Sequence, residues 1–400
     1  MGPLLRARDW TRAWWPAVLL GVATIGAYGA VYYSFGVLIE PVRAETGWAT
    51  SQLAGAFSLS VLVGGAGGVV AGRVLDRTDG RLVLLAALGV GCALLFAASW
   101  ATEAWQFMVA WTLGGGAVAG GLYYHVTMAL TARLYPDRRA AAFSVLTLLG
   151  ALAGPVFYPL AGWLVEALAW RDALRVLTAA LAVLVLPAAL LVRAPAPRRA
   201  RDVAVEAAAP SVLRQLREPR VLLLLAMIAC VSLSTSAVTL HQVTAMQATG
   251  LSLAAASSIA GTRGLFQFAG RVCLSPLVRR LGIAGAIALC YALASVGAVM
   301  LGMAGPVFLV IGFISLSGVA VGLLSPLHGL FATEVYGETD LGSLMGVQQV
   351  VASISGAIGP WAAGLAVDGT GAYTLVLASA AGLYALGVCL IAAQRRVPLR

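Results

Sequence analysis

The chain has 400 residues, 60% of them hydrophobic and 10% charged, with a mean hydropathy of +0.92. That balance excludes a soluble globular domain. A formal charge of +10 would suggest nucleic acid in a soluble chain, but here it is explained by arginines in the loops, and no nucleic-acid partner is expected. Every one of the 26 basic residues is arginine, a compositional habit rather than a functional signal. The five cysteines (Cys92, Cys230, Cys273, Cys290, Cys389) sit singly in apolar stretches, so neither a metal site, a disulfide nor any cofactor is expected. The segment Gly2–Trp15 is basic and aromatic and runs into a full-length span, without the small-residue site of a cleaved signal peptide.

Hydrophobic runs recur along the chain at the length of about 20 residues that a hydrocarbon core demands. Backbone groups in lipid must be satisfied internally, so these runs are predicted to be helices; the alternating pattern of a membrane β-barrel is absent. The fold class is all-α and polytopic. Six spans fall at 15–39, 48–70, 82–100, 104–132, 140–166 and 173–192. Six more fall at 221–246, 253–278, 283–303, 306–333, 342–366 and 372–393. This divides the chain into an N-terminal six-helix bundle (1–192), a linker (193–220) and a C-terminal six-helix bundle (221–400). The linker is rich in Pro, Ala and Arg and reads as flexible, with one short surface helix near Ser211–Leu216.

Orientation follows from counting arginines in loops. With the N-terminus inside, 21 of the 26 lie in inner segments, and the outer segments hold only Arg43, Arg171 and Arg175. The other two, Arg263 and Arg271, lie within a span. Both termini are therefore expected on the cytoplasmic side, in a bacterial inner membrane. One inner loop dissents: Glu334, Glu338 and Asp340 have no basic partner in their own loop.

The two halves repeat. A shift of 203 residues lays Gly47 on Gly250 and Arg77 on Arg280. Shifts of 201 and 205 lay Tyr135 on Tyr336 and Gly154–Pro155 on Gly359–Pro360. Two such halves joined by a linker suit a carrier that rocks around a central site.

After the second span comes Gly72-Arg-Val-Leu-Asp76-Arg77-Thr-Asp-Gly80-Arg81. This resembles the signature loop between helices two and three of the major facilitator superfamily. The resemblance covers nearly the whole chain and implies two pseudo-symmetric six-helix bundles in a transporter, not an enzyme. It also implies a gating role for Gly72, Asp76, Arg77 and Arg81. Gly72 would allow close helix approach, and Asp76 would pair with a helix N-terminus or a nearby arginine. Glu45-Thr-Gly47-Trp48, with Ser51 to Ser58 after it, is similar to the start of helix two in the monocarboxylate and oxalate branch. Gly270–Arg271 resembles that branch's helix-eight Gly–Arg, whose arginine binds the substrate carboxylate. Gln267 stands where the animal carriers have an aspartate. No lysine accompanies Tyr28, Tyr32 and Tyr33 in span one, nor Gln348, Gln349 and Ser353 in span eleven. The expected substrate is a small organic anion, carrying its own proton or exchanging for a counter-anion.

An arginine at the bilayer centre costs roughly 2.5–3.5 kcal/mol on insertion scales, so Arg263 and Arg271 need a reason. No span carries a central Asp or Glu to neutralise them, which favours an anionic ligand over a structural salt bridge. At a helical rise of 1.5 Å, Arg271 lies about 12 Å from Arg279–Arg280 and Arg263 about 12 Å further, with roughly 80° between their directions. Arg271 is the closer match to the family's anchor, Arg263 a second site or outer guide, and Gln267 a brace. Tyr28 and Tyr32, one turn apart, Tyr124, His125, His328 and Gln348 are further candidate binding residues. The glycine run Gly114–Gly121 reads as close helix packing, and His241 as a gate or surface residue.

A second reading is a proton-driven exporter of lipophilic or drug-like compounds. Gly150-x-x-x-Gly154-Pro155 resembles part of the helix-five motif of drug/proton antiporters. Against it, Gln106–Ala117 lacks their helix-four arginine and no mid-span acid is present to carry protons.

Overall fold

The computed structural model describes residues 3–194, 215–303, 305, 307–336 and 341–394, with side chains from Trp14 onward apart from Gly342. All but the last two residues of the expected surface helix near Ser211–Leu216, together with Glu338 and Asp340, lie outside the described residues.

The first half begins with α1 (Pro3–Ala27), a π-helical segment (Tyr28–Tyr33) and α2 (Ser34–Thr46), which form one continuous rod. Then follow α3 (Thr50–Leu75), α4 (Arg81–Ala98), α5 (Ala104–Leu122), α6 (Tyr124–Leu134), α7 (Arg139–Gly150) and α8 (Ala153–Leu191). The second half holds α9 (Pro219–Gln247), α10 (Leu253–Val272), α11 (Leu274–Gly302), α12 (Val307–Tyr336), α13 (Leu341–Thr370) and α14 (Thr374–Gln394).

Nine helices among the described residues are long and apolar enough to cross a membrane. One of these, Arg139–Leu191, is 53 residues long, about two spans, and is broken at Ala169. Two further spans do not qualify alone: α5 with α6, interrupted at Tyr123, and α10, which carries both intramembrane arginines. These account for twelve spans in an all-α polytopic membrane protein.

The chain divides into two compact units, Met1–Trp48 with Leu59–Ala200, and Ala49–Ser58 with Arg201–Arg400. In the first, α1 packs on α7 and α8, and α4 on α5 and α8. The glycine run closes the crossing of α5 with α3 and α4. A Cβ on Gly120 would stand 3.0 Å from the Gly67 carbonyl carbon, and one on Gly114 3.2 Å from the Leu95 nitrogen. In the second unit, α9 packs on α13 and α14, α11 on α12 and α14, and α10 on α12.

The internal repeat is written into the backbone. Among the described residues positive φ occurs at six positions: Gly47, Gly80, Ala169, Gly250, Gly282 and Gly371. They pair as Gly47 with Gly250, Gly80 with Gly282 and Ala169 with Gly371, at offsets of 203, 202 and 202 residues. Each marks a chain reversal or kink between spans, where a left-handed residue ends one helix and redirects the chain. Five of the six are glycine, and Ala169 is the exception. Its φ of 60° and ψ of 167° fall in a region that essentially only glycine occupies, at about 1–3 kcal/mol for other residues. Replacing Ala169 by Gly is expected to raise the unfolding midpoint in detergent, with a gain on the order of 1 kcal/mol; a lowered midpoint would contradict the strain.

Candidate functional site

The second unit buries one arginine in a polar bracket. Arg263 is 3% exposed, and its Nη1 donates to Thr239 Oγ1 at 3.1 Å and to Gln242 Oε1 at 3.2 Å. Its guanidinium carbon lies 5.6 Å from the Phe313 ring centroid, within cation–π range. The Tyr384 hydroxyl lies 2.8 Å from Thr235 Oγ1. Among the described residues no carboxylate forms a salt bridge with it. Nε and Nη2 are buried without hydrogen-bond partners. Those two nitrogens form one edge of the guanidinium, the side-on fork that takes a carboxylate through two parallel hydrogen bonds. The bracket therefore satisfies one nitrogen completely and leaves a bidentate anion receptor open.

Packing on α12 turns Arg263 inward. A Cβ on Gly318 would stand 2.9 Å from the Arg263 carbonyl oxygen, one on Gly322 2.7 Å from the Gln267 Cα, and one on Gly270 2.7 Å from the Val319 oxygen. This small-xxx-small contact brings two backbones together. It fixes the rotation of α10, burying Arg263 and leaving Gln267 half-buried and Arg271 exposed. The Arg271 side chain makes no hydrogen bond among the described residues.

A second cluster lies in the first unit. Tyr28 stacks on Tyr123 with centroids 3.9 Å apart and 15° between planes, and lies 5.1 Å from Tyr124. Tyr32 meets Tyr28 edge-on at 6.1 Å and Tyr33 edge-on at 5.2 Å. Tyr33 lies 5.3 Å from Tyr158. The π-helical turn brings these rings together: Ser34 Oγ donates to the Gly29 oxygen, five residues back, at 2.8 Å. The Phe157 ring packs directly on Gly29.

The remaining candidates are placed elsewhere. His125 is exposed, with Nε2 2.9 Å from the Gly120 oxygen. His328 is buried and shares a 2.8 Å hydrogen bond with the fully buried Tyr291, so it has its partner inside the core. Gln348 accepts from the Tyr336 hydroxyl at 3.0 Å. His241 is buried, not at the surface, with Nε2 3.1 Å from the Pro360 oxygen. In the signature loop, Asp76 pairs with an arginine: Arg133 Nη2 donates to Asp76 Oδ1 at 3.0 Å and Nη1 to the Leu75 oxygen at 2.7 Å. Arg77 is exposed and Arg81 half-buried. A Cβ on Gly72 would meet nothing within 4 Å; the close approaches on α3 are at Gly64 and Gly68.

The three arginines on the sparse side of the sequence count are all ion-paired: Arg43 with Glu40, Arg171 with Glu45 and Arg175 with Asp172. Sequence reasoning missed Asp368. Its two carboxylate oxygens accept from the Thr50 and Ser51 N–H groups, each at 2.8 Å. It caps the first turn of α3, where the helix dipole favours a negative charge. Thr239 and Phe313 were missed too, because nothing in their own spans marks them. The one available signal was that a buried arginine needs polar neighbours.

An all-helical polytopic chain of two repeated halves, with an unneutralised arginine in mid-span, is built as a membrane transporter rather than an enzyme. The sequence model described as Major Facilitator Superfamily matches residues 20–360 and 222–399, and the chain belongs to that superfamily. Among solved structures it is similar to the nucleoside transporter NupG, at 14% identity and a TM-score of 0.80, covering 96% of this chain and 100% of that one. It is also similar to a bacterial homologue of the human lysosomal transporter Spinster, at 13% identity and a TM-score of 0.74, covering 96% and 97%. A bacterial homologue of the iron transporter ferroportin matches at 15% identity and 0.73, covering 96% and 99%. At these identities the likeness is one of fold. No curated protein matches by sequence.

Two substitutions check this geometry. Gly322→Ala pushes a methyl group into the backbone of α10 and is expected to destabilise by about 1–3 kcal/mol, read as a lower unfolding midpoint. Asp368→Ala removes a two-pronged cap and is expected to cost about 0.5–2 kcal/mol, with added protease sensitivity at the start of α3.

Proposed function

We propose that this protein is a secondary active transporter of a small organic anion, working by alternating access, with Arg263 as the carboxylate anchor. The observation that carries this is the open Nε–Nη2 edge of a buried arginine whose third nitrogen is held by neutral groups. A buried ion without a partner is strongly unfavourable, and a carboxylate on that edge removes the imbalance. Arg271, exposed near the end of α10, serves as a secondary attraction point, and Gln267 between them orients the anion. Tyr28, Tyr32 and Tyr124 serve as solute-binding residues of the first unit. The pairing of Asp76 with Arg133 supports a gating role for the signature loop, with Arg77 and Arg81 beside it. With no carboxylate paired to Arg263 among the described residues, the coupling partner is a proton borne by the substrate or a counter-anion. The membrane is taken to be a bacterial inner membrane with both termini cytoplasmic, as the arginine count indicates.

Uptake of labelled lactate, pyruvate, oxalate and larger acids into proteoliposomes tests this. Arg263→Gln is expected to cost about 2–5 kcal/mol of binding, the range for losing one partner of a buried charge pair, and so to reduce affinity at least about 30-fold. Arg263→Lys should not rescue it, since an ammonium has no fork. Anion transport that survives Arg263→Gln would sink the assignment. Preloading with unlabelled anion and varying internal pH separate exchange from co-transport with a proton.

A further inference from the structure

The first unit departs from regular α-helix in three of its spans. The rod of α1 and α2 becomes π-helical over Tyr28–Tyr33, α5 and α6 are separated at Tyr123, and α7 runs into α8 through a tightened helical turn at Ala151–Leu152. Tyr123 adopts extended geometry, with φ −80° and ψ 177°. Broken helices within a bilayer are tolerated where they line a cavity or are buried in protein, and π-turns concentrate at functional sites. All three departures meet in the tyrosines. Tyr28, Tyr32 and Tyr33 come from the first, Tyr123 and Tyr124 from the second, and Tyr158 from just beyond the third. Gly150 and Gly154 flank that tightened turn and clear room for rings: the Tyr124 hydroxyl lies directly over Gly150, and the Tyr33 ring 3.6 Å from where a Cβ on Gly154 would be. Five of the six tyrosines stay partly exposed in an otherwise packed region, and only Tyr158 is buried.

We infer that this cluster is a stacking subsite for a flat ring, so that the transported anion is an aromatic carboxylate rather than a small aliphatic one. The inference rests on the anion reading above and narrows its substrate class. Tyrosine faces take either an aromatic ring, stacked or edge-on, or a cation, and two observations select the ring. Tyr28 and Tyr123 already lie face to face, a stack that a further flat ring extends, whereas a cation cage needs several faces converging on one point. The spans that supply the tyrosines (15–39, 104–132 and 140–166) contain no Asp or Glu but Glu166, the last residue of the third, so nothing near the cluster balances a bound cation.

The test uses the purified full-length protein in detergent, with benzoate, 4-hydroxybenzoate, lactate and tetramethylammonium as probes. Binding is followed by thermal shift and by displacement of labelled benzoate. Benzoate and 4-hydroxybenzoate are expected to bind more tightly than lactate. Tyr28→Leu is expected to weaken them about tenfold, in line with the loss of one stacking face, and Tyr28→Phe to retain benzoate within about twofold, since its face survives. Tyr32→Leu gives an independent variant should Tyr28→Leu not fold, and the wild-type ranking needs no variant. If lactate binds at least as well as benzoate, or Tyr28→Leu weakens both equally, the ring subsite is overturned. The anion reading would then still stand on the loss of binding in Arg263→Gln. If tetramethylammonium binds and neither acid does, both readings fall.

Discussion

Every backbone N–H and C=O in a bilayer must find its partner within the protein. That requirement makes the chain helical almost throughout and makes each interruption informative. Where the chain turns between spans, left-handed residues end one helix and redirect the backbone. Where spans are interrupted midway, the backbone groups are met locally: the Ser34 N–H and Oγ both donate to the Gly29 carbonyl, and the Tyr124–Leu134 helix restarts with the Val126 N–H donating to the Tyr123 oxygen. The first unit concentrates its interruptions around aromatic rings. The second instead carries its unusual feature as a side chain.

Arg263 depends on neighbours that are neutral. A carboxylate beside it would have made a structural ion pair, with desolvation weighing against the attraction. Thr239, Gln242 and the Phe313 face hold the guanidinium in place without cancelling its charge. What keeps it there is backbone packing, since Gly318 and Gly322 let α12 approach α10 so closely that the rotation of α10 is fixed. Glycines with no chemistry of their own thus decide which arginine is buried.

The helices, the break near residue 169, the repeat and the superfamily were legible from hydrophobic period, glycine placement and the signature loop. These are local or strictly periodic properties. The choice between Arg263 and Arg271 was not legible: eight residues separate them, both sit in one apolar run, and the deciding contacts come from a helix some 55 residues further on. The motif match favoured Arg271, whereas the packing buries Arg263. The π-helical turn left no mark either, because Tyr28 and Tyr32 share a face on an α-helix as well. Asp368 was not legible either, because its cap on α3 joins residues more than 300 positions apart. The tyrosines were visible one by one, but their meeting at three departures from regular helix was not.

The open edge of Arg263 also gives the carrier an electrical character. Without solute, the buried guanidinium is a net positive charge within the low-dielectric region; with the monoanion proposed above bound, the site is neutral. An elementary charge that crosses the whole membrane field is worth about 2.3 kcal/mol per 100 mV. Membrane voltage should therefore bear on the conformational step of the empty carrier and hardly on that of the loaded one. On the anion reading proposed above, the same asymmetry separates two modes of transport: net flux, which includes the empty step, responds to voltage, whereas one-for-one exchange, in which only the loaded carrier moves, does not.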